Sequence, residues 1–244
     1  MPFPPLNLSV DLQNGLNAFF HEHDFVALYK SYGWQQDTYR NGFPHILNLE
    51  SGLRTAAVNN RITMQHVISV ANWGKLRNIK RIKGPEGTLK VALYQCDGFP
   101  FPQLAKDPLP PIVSLQRQVT GLGPTYLSKV IRFALPEEYG AIDTRIVRVV
   151  GRGDQASRQQ NWLNLKARNY GYGWYIPKAQ ATWPNDYAKW LNVLRFFASR
   201  LNDPRNPCPC PHPTNFIDRG LRLQGVWTCA DVEMAIFSYA CQFI

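Results

Sequence analysis

Gln118-Val119-Thr120-Gly121-Leu122-Gly123-Pro124-Thr125-Tyr126-Leu127-Ser128-Lys129-Val130-Ile131-Arg132-Phe133-Ala134-Leu135 is the stretch on which the fold turns. Two glycines flank one apolar residue, which lets the backbone bend through conformations that a Cβ closes. Pro124 follows at once, in the place where the first turn of a helix tolerates proline. The pattern predicts a hairpin between two helices. Free amides in such a turn, together with the positive end of the second helix, form a site for a phosphate oxygen that needs no base contact.

Outward from the hairpin, residues 112–151 read as helix, glycine turn, helix, short loop, helix. The loop closes on Ala141-Ile142-Asp143-Thr144-Arg145-Ile146-Val147-Arg148-Val149. Asp is a favoured N-terminal cap, so position alone gives Asp143 a structural role. Gly121-Leu122-Gly123 followed at this separation by Asp143 resembles the hairpin and Gly/Pro-Asp signature of the helix-hairpin-helix DNA glycosylases. Against endonuclease III-type enzymes, aligned without a gap, both glycines, the aspartate and the apolar-Asp-Thr-x-Ile-x-Arg-Val string coincide. The match spans residues 120–149 only, but paired features at a matched separation are far more specific than a lone Gly-x-Gly.

The resemblance implies a mainly α, two-lobed fold with a cleft between the lobes, acting on double-stranded DNA that carries a lesion. Gly121, Gly123 and Thr125, with Arg145, are then the DNA-binding residues. The target nucleotide swings out of the stack at a cost of a few kcal/mol, which phosphate contacts and aromatic stacking offset. Breaking the N-glycosidic bond builds positive charge on the sugar, and a carboxylate beside C1′ stabilises it. Asp143 holds the position of the family's catalytic aspartate.

Two departures matter. Family members that also cut the strand carry a lysine just after the hairpin, where this chain has Thr125 and places lysine at Lys129 instead. Four residues along a helix return to the same face about 6 Å further on, so Lys129 can still reach Asp143. A similar Ser-Lys before an apolar run occurs in glycosylase-like sequences of 8-oxoguanine repair. As a nucleophile, Lys129 would form a Schiff base with the opened sugar and make the enzyme a glycosylase and lyase together. Alternatively Thr125, Ser128, Lys129 and Arg132 are the solvated or phosphate-binding side of an amphipathic helix, and Asp143 directs water to the sugar. The second departure is the missing four-cysteine cluster motif of endonuclease III-like enzymes, so no iron–sulfur cofactor is expected. Subgroups without that cluster include the 8-oxoguanine and alkyl-base enzymes, which points to an oxidised purine.

The rest of the chain is read from composition and periodicity. Its 244 residues carry a formal charge of +10 and 45% hydrophobic residues, which suits a globular protein that attracts polyanions. No stretch has the length and apolarity of a membrane helix, and a cytoplasmic monomer is expected, nucleoid-associated if the source is prokaryotic. Residues 10–32 predict an amphipathic helix or a broken pair, and residues 64–76 a helix begun by Thr63. Residues 33–60 show no clear period. A proline-dense connector at 99–111 suggests a boundary between an N-terminal region, 1–105, and a helix-hairpin-helix and C-terminal lobe, 106–244. Residues 186–201 and 232–243 predict two further helices, and 152–183 an aromatic, basic loop.

Trp73, Tyr170, Tyr172, Trp174 and Tyr175 are candidates to line a base pocket, with Trp73 and Trp174 foremost. Lys75, Arg77, Lys80, Arg81 and Lys83 are candidates to track phosphates. Cys208-Pro-Cys210-Pro-His212 has zinc-type donors without a partner pair at a familiar spacing, so a proline-stiffened loop and no metal are expected. Two competing functions remain: a non-catalytic DNA- or RNA-binding protein that keeps the hairpin for phosphate contact, and a basic face that serves an acidic protein.

Overall fold

The computed structural model describes residues 1–171 and 173–244. Helices make up 48% of the chain and the only sheets among the described residues are two-stranded hairpins, so the protein is mainly helical. Residues 10–32 form the broken pair, α1 (Val10–Glu22) and α2 (Phe25–Lys30). Asp24 divides them: its carboxylate accepts the Ala27 amide and caps α2 after His23 has turned to extended backbone. A short hairpin follows, β1 (Gly33–Trp34) with β2 (Asp37–Thr38), and then α3 (Pro44–Val58) and α4 (Met64–Trp73).

Periodicity misses α3 for a physical reason. Its inward face carries Ile46, Leu47, Leu53 and Ala57, but also Glu50, a fully buried carboxylate in the middle of that apolar stripe. A hydrophobicity pattern treats such a residue as solvent-facing. α4 begins as expected at Thr63, whose amide and hydroxyl both meet Nδ1 of His66, at 3.1 and 2.9 Å.

The proline connector holds only a single 3₁₀ turn before α5 (Pro110–Gln118), which uses Pro110 in its first turn. Five residues later comes α6 (Pro124–Ala134), followed by α7 (Thr144–Val150). In the turn, Gly121 has φ +80°, and a Cβ there would stand 2.3 Å from the Arg81 carbonyl oxygen, so no other residue fits. Gly123 does not share that need. It sits at φ −92° and ψ 174°, ordinary extended backbone, with open space where a side chain would go.

After α7 the chain runs through β3 (Arg168–Asn169) and β4 (Trp174–Tyr175) to α8 (Asn185–Leu201), α9 (Thr214–Asp218) and α10 (Cys229–Cys241). α10 is buried from Cys229 to Ala240 and packs on α2, α7 and α8, while α6 is covered by α3, α4 and α5. Helices apolar or neutral all round belong in the interior, and each large apolar side chain so buried contributes about 1.5–3 kcal/mol. The buried apolar residues from both ends of the chain join in one continuous cluster. The same packing brings Lys129 of α6 to Asp143, the residue that precedes α7.

Candidate active site

Lys129 projects from the second turn of α6 and Asp143 caps α7, and the two meet with Nζ 3.2 Å from Oδ2. Asp143 is doubly held, because its Oδ1 accepts the Arg145 amide at 3.0 Å. The cap and the partner of Lys129 are therefore one residue, each use taking one carboxylate oxygen. Burial alone would raise the Asp143 pKa. The Lys129 ammonium, the Arg145 amide and the Arg145 guanidinium together outweigh that and hold the carboxyl below its ordinary value. Asp143 is ionised at neutral pH.

Lys129 is 7% exposed, and its neighbours Ser128 and Arg132 are 0% and 3% exposed. Of the four residues that would form a solvated side of this helix, Ser128, Lys129 and Arg132 are buried and Thr125 is half-buried. The Lys129 ammonium instead lies 5.3–5.4 Å from the ring centres of Trp34, Trp73 and Tyr126. This aromatic wall is itself fixed. The Trp73 indole donates to Oδ2 of fully buried Asp37 at 2.7 Å, and the Trp34 indole donates to the Trp73 carbonyl at 3.2 Å. The Tyr126 hydroxyl donates to the Gly74 carbonyl at 2.6 Å, an approach that a Cβ on Gly74, 2.5 Å from the Tyr126 ring, would block.

Among the expected site residues, Lys129, Asp143, Arg145 and Trp73 come together. Arg145 lies over the Trp34 ring at 5.0 Å with Nη1 3.8 Å from Asp143, its side chain about one-third exposed. Gly121, Gly123 and Thr125 lie at the start of α6, where their amides donate to no acceptor among the described residues. Trp174 is elsewhere: it stacks on the Arg148 guanidinium at 4.4 Å, on the hairpin beyond the far end of α7. Tyr170 and Tyr175 are on that hairpin too, and Tyr172 lies outside the described residues.

Sequence reasoning missed Trp34, Tyr126, Asp37 and Glu233. Tyr126 had a signal, since it precedes Lys129 by three residues on one helix. Trp34 and Asp37 arrive from a two-residue strand pair with no local sign of their destination. Glu233 on α10 lines the same small space as Lys129 and Asp143 and is bridged by Arg132 Nε at 3.5 Å. Burial pushes its pKa up to about 7, against the pull of Arg132 and Lys129.

The enclosed space beside Lys129 amounts to about 10 Å³, room for a single water. A concavity of about 550 Å³ contains neither Lys129 nor Asp143 and is lined by the N-terminal residues with Tyr94, Phe99 and Leu223. Lys75, Arg77, Lys80, Arg81 and Lys83 are all exposed. The backbone of Lys83 pairs with Thr120, with N···O distances of 2.8 and 3.3 Å, so this basic strand is docked on the hairpin turn.

Cys210, His212 and Asp231 bring one donor atom each to within 4.8 Å of one another and form the candidate metal-holding group. Their donors already have partners. Cys210 Sγ is 3.5 Å from His212 Nδ1, His212 Nε2 is 2.8 Å from the Val226 carbonyl, and Asp231 accepts from Arg222 and Thr228. Burial also pushes the Cys210 thiol far above its ordinary range, which disfavours the thiolate a metal requires. Comparison with family models, curated proteins and solved structures finds no match for this chain.

Proposed function

We propose that the protein is a DNA glycosylase of the helix-hairpin-helix type that excises a damaged base, an oxidised purine such as 8-oxoguanine, and cuts the strand through Lys129. The observation that carries this reading is the buried contact between Lys129 and Asp143 behind a wall of aromatic rings. A surface lysine would have no use for such a setting, whereas an amine nucleophile needs a dry site and a fixed carboxylate. The hairpin amides and the docked basic strand support contact with a phosphate backbone next to that site.

In this reading two lobes flank a cleft, and the extruded nucleoside is presented to Lys129. Lys129 releases a proton to water and its nitrogen attacks C1′, while Asp143 stays ionised. The bond from C1′ to the base breaks, and the base leaves with the electron pair and takes up a proton. Asp143 stabilises the positive charge that develops on the sugar. Loss of the nitrogen proton and opening of the C1′–O4′ bond give the Schiff base, from which removal of a C2′ proton expels the 3′ phosphate. A base is far larger than one water, so Trp34 and Arg145, half-exposed like Trp73 and Tyr126, move aside to admit it.

The test is a panel of duplexes with one lesion each, incubated with wild type, Asp143→Asn and Lys129→Gln under borohydride. Wild type releases a base and traps a covalent adduct, and Lys129→Gln traps none. Trapping that survives Lys129→Gln assigns the nucleophile elsewhere. The closed pocket favours one alternative, a non-catalytic protein that grips the DNA backbone by the hairpin. That alternative predicts duplex binding with steep salt dependence and no base release from any substrate.

A further inference from the structure

The strongest unassigned feature is the hairpin of β3 and β4. The chain leading into it alternates with period two: Leu163, Leu165 and Ala167 are buried, and Asn164, Lys166 and Arg168 are exposed. Its base is anchored. The Arg152 amide donates to the Leu165 carbonyl at 2.8 Å and the Arg152 carbonyl accepts from the Ala167 amide at 2.9 Å, while Gln180 accepts from the Lys166 amide at 2.8 Å and donates to the Pro177 carbonyl at 2.9 Å.

Register then assigns the two faces of the ribbon. Asn169 pairs with Trp174, and Trp174 docks on Arg148 of α7. Arg168 pairs with Tyr175, so Arg168, Tyr175 and Tyr170 share the opposite face. There Tyr170 is 68% exposed and Tyr175 36%, their ring centres 5.2 Å apart. Residues 152–178 hold five cations, Arg152, Arg158, Lys166, Arg168 and Lys178, and one acid, Asp154, which Arg148 neutralises at 2.7 Å. None of the five makes an ion pair among the described residues. Arg152, Arg158 and Lys166 border a polar concavity of about 520 Å³ beside the hairpin.

Exposed rings near cations that make no ion pair among the described residues, where the neighbouring acid Asp154 is held by Arg148, complement a strand that offers both phosphates and open base faces. A fully paired duplex hides its base faces. We propose that the outward face of this hairpin binds unpaired DNA, with Tyr170 and Tyr175 stacking on bases and Arg152, Arg158, Lys166 and Arg168 meeting phosphates. The inference builds on the reading of the protein as one that extrudes a nucleotide from DNA, since extrusion leaves unpaired bases. Arg145 and Arg148, one helical turn apart on α7, connect this platform to Asp143.

The test uses undamaged DNA, so it does not depend on catalysis. Fluorescence anisotropy compares a labelled duplex with the same sequence carrying a central unpaired bubble. Wild type prefers the bubble, and Tyr170→Ala with Tyr175→Ala weakens bubble binding at least about tenfold while leaving paired-duplex binding within about twofold. Arg152→Ser with Arg158→Ser lowers the salt slope on the bubble by about one to two, and Lys106→Ser, an exposed cation outside the patch, does not. Equal affinity of wild type and the tyrosine variant for the bubble overturns the proposal, even if wild type excises lesions. Bubble preference lost in the tyrosine variant upholds the platform even if no base is ever released, in which case only the glycosylase reading fails.

Discussion

Lys129 and Arg132 stand three residues apart on one helix, and both meet carboxylates in the interior, yet their surroundings are opposites. Arg132 belongs to a closed network. It binds Glu50 and Glu233, Glu50 also binds Arg222 at 2.7 Å, and Arg222 binds Asp231 at 3.0 Å. Almost every donor in that chain has an acceptor, and Thr228 completes Asp231. Lys129 has one carboxylate and three rings, beside a space the size of a water. A satisfied network fixes how α3, α6 and α10 pack, whereas an under-partnered amine in a dry pocket retains capacity for chemistry. On the proposed function, the difference separates a structural cation from a reactive one within one turn of helix.

The comparison breaks first at Glu50. Replacing it with Ala takes one carboxylate from each of two buried guanidinium groups, leaving Arg132 with Glu233 and Arg222 with Asp231, and the urea-unfolding free energy falls by about 3 kcal/mol. A loss below about 1 kcal/mol would mean the network is not structural. Asp143→Asn acts on the other cluster: Asn still caps α7, so the protein folds, while single-turnover base release drops about 10²–10³-fold. Unchanged release from a folded variant removes the carboxylate from the reaction.

Glu233 borders both clusters and carries the pH dependence. Its pKa is near 7 in the folded chain against an ordinary 4.5, so the folded state binds the proton more tightly than the unfolded one. That contribution is complete below about pH 4.5 and drains as pH rises through about 7. Between about pH 5.5 and 8, wild type therefore loses about 2 kcal/mol more than Glu233→Gln, as read from paired urea titrations. Parallel pH profiles contradict this placement of the proton. The smallest effect is expected at the wall. Trp34→Leu slows adduct trapping about two- to thirtyfold, the worth of one cation–π contact, and Trp34→Phe recovers part of it. Equal trapping in all three proteins leaves the ring a packing role only.

Much of the helical order was legible because its signals are local. Thr63 marks a helix start and Gly121 marks the hairpin turn, each through backbone geometry that nearby residues impose, whereas the caps at Ser9 and Asp24 emerged only in the structure. Asp143 and Lys129 were legible through their spacing from that turn. α3 was not, because Glu50 interrupts its apolar face and its partners, Arg132 and Arg222, lie 82 and 172 residues away. The paired role of Gly123 failed for the converse reason: a glycine next to a turn suggests strain, but the backbone there is unstrained.

From the chain alone came the helical class, the basic surface, the turn and the acid that follows it, all consequences of short-range sterics, capping and charge. Only the packed structure decided that Lys129 is interior, that Trp34 and Asp37 build its wall, and that Trp174 belongs to a separate hairpin. Those outcomes depend on which faces exclude water together, and burial is a property of elements brought into contact from across the chain, which no local window contains.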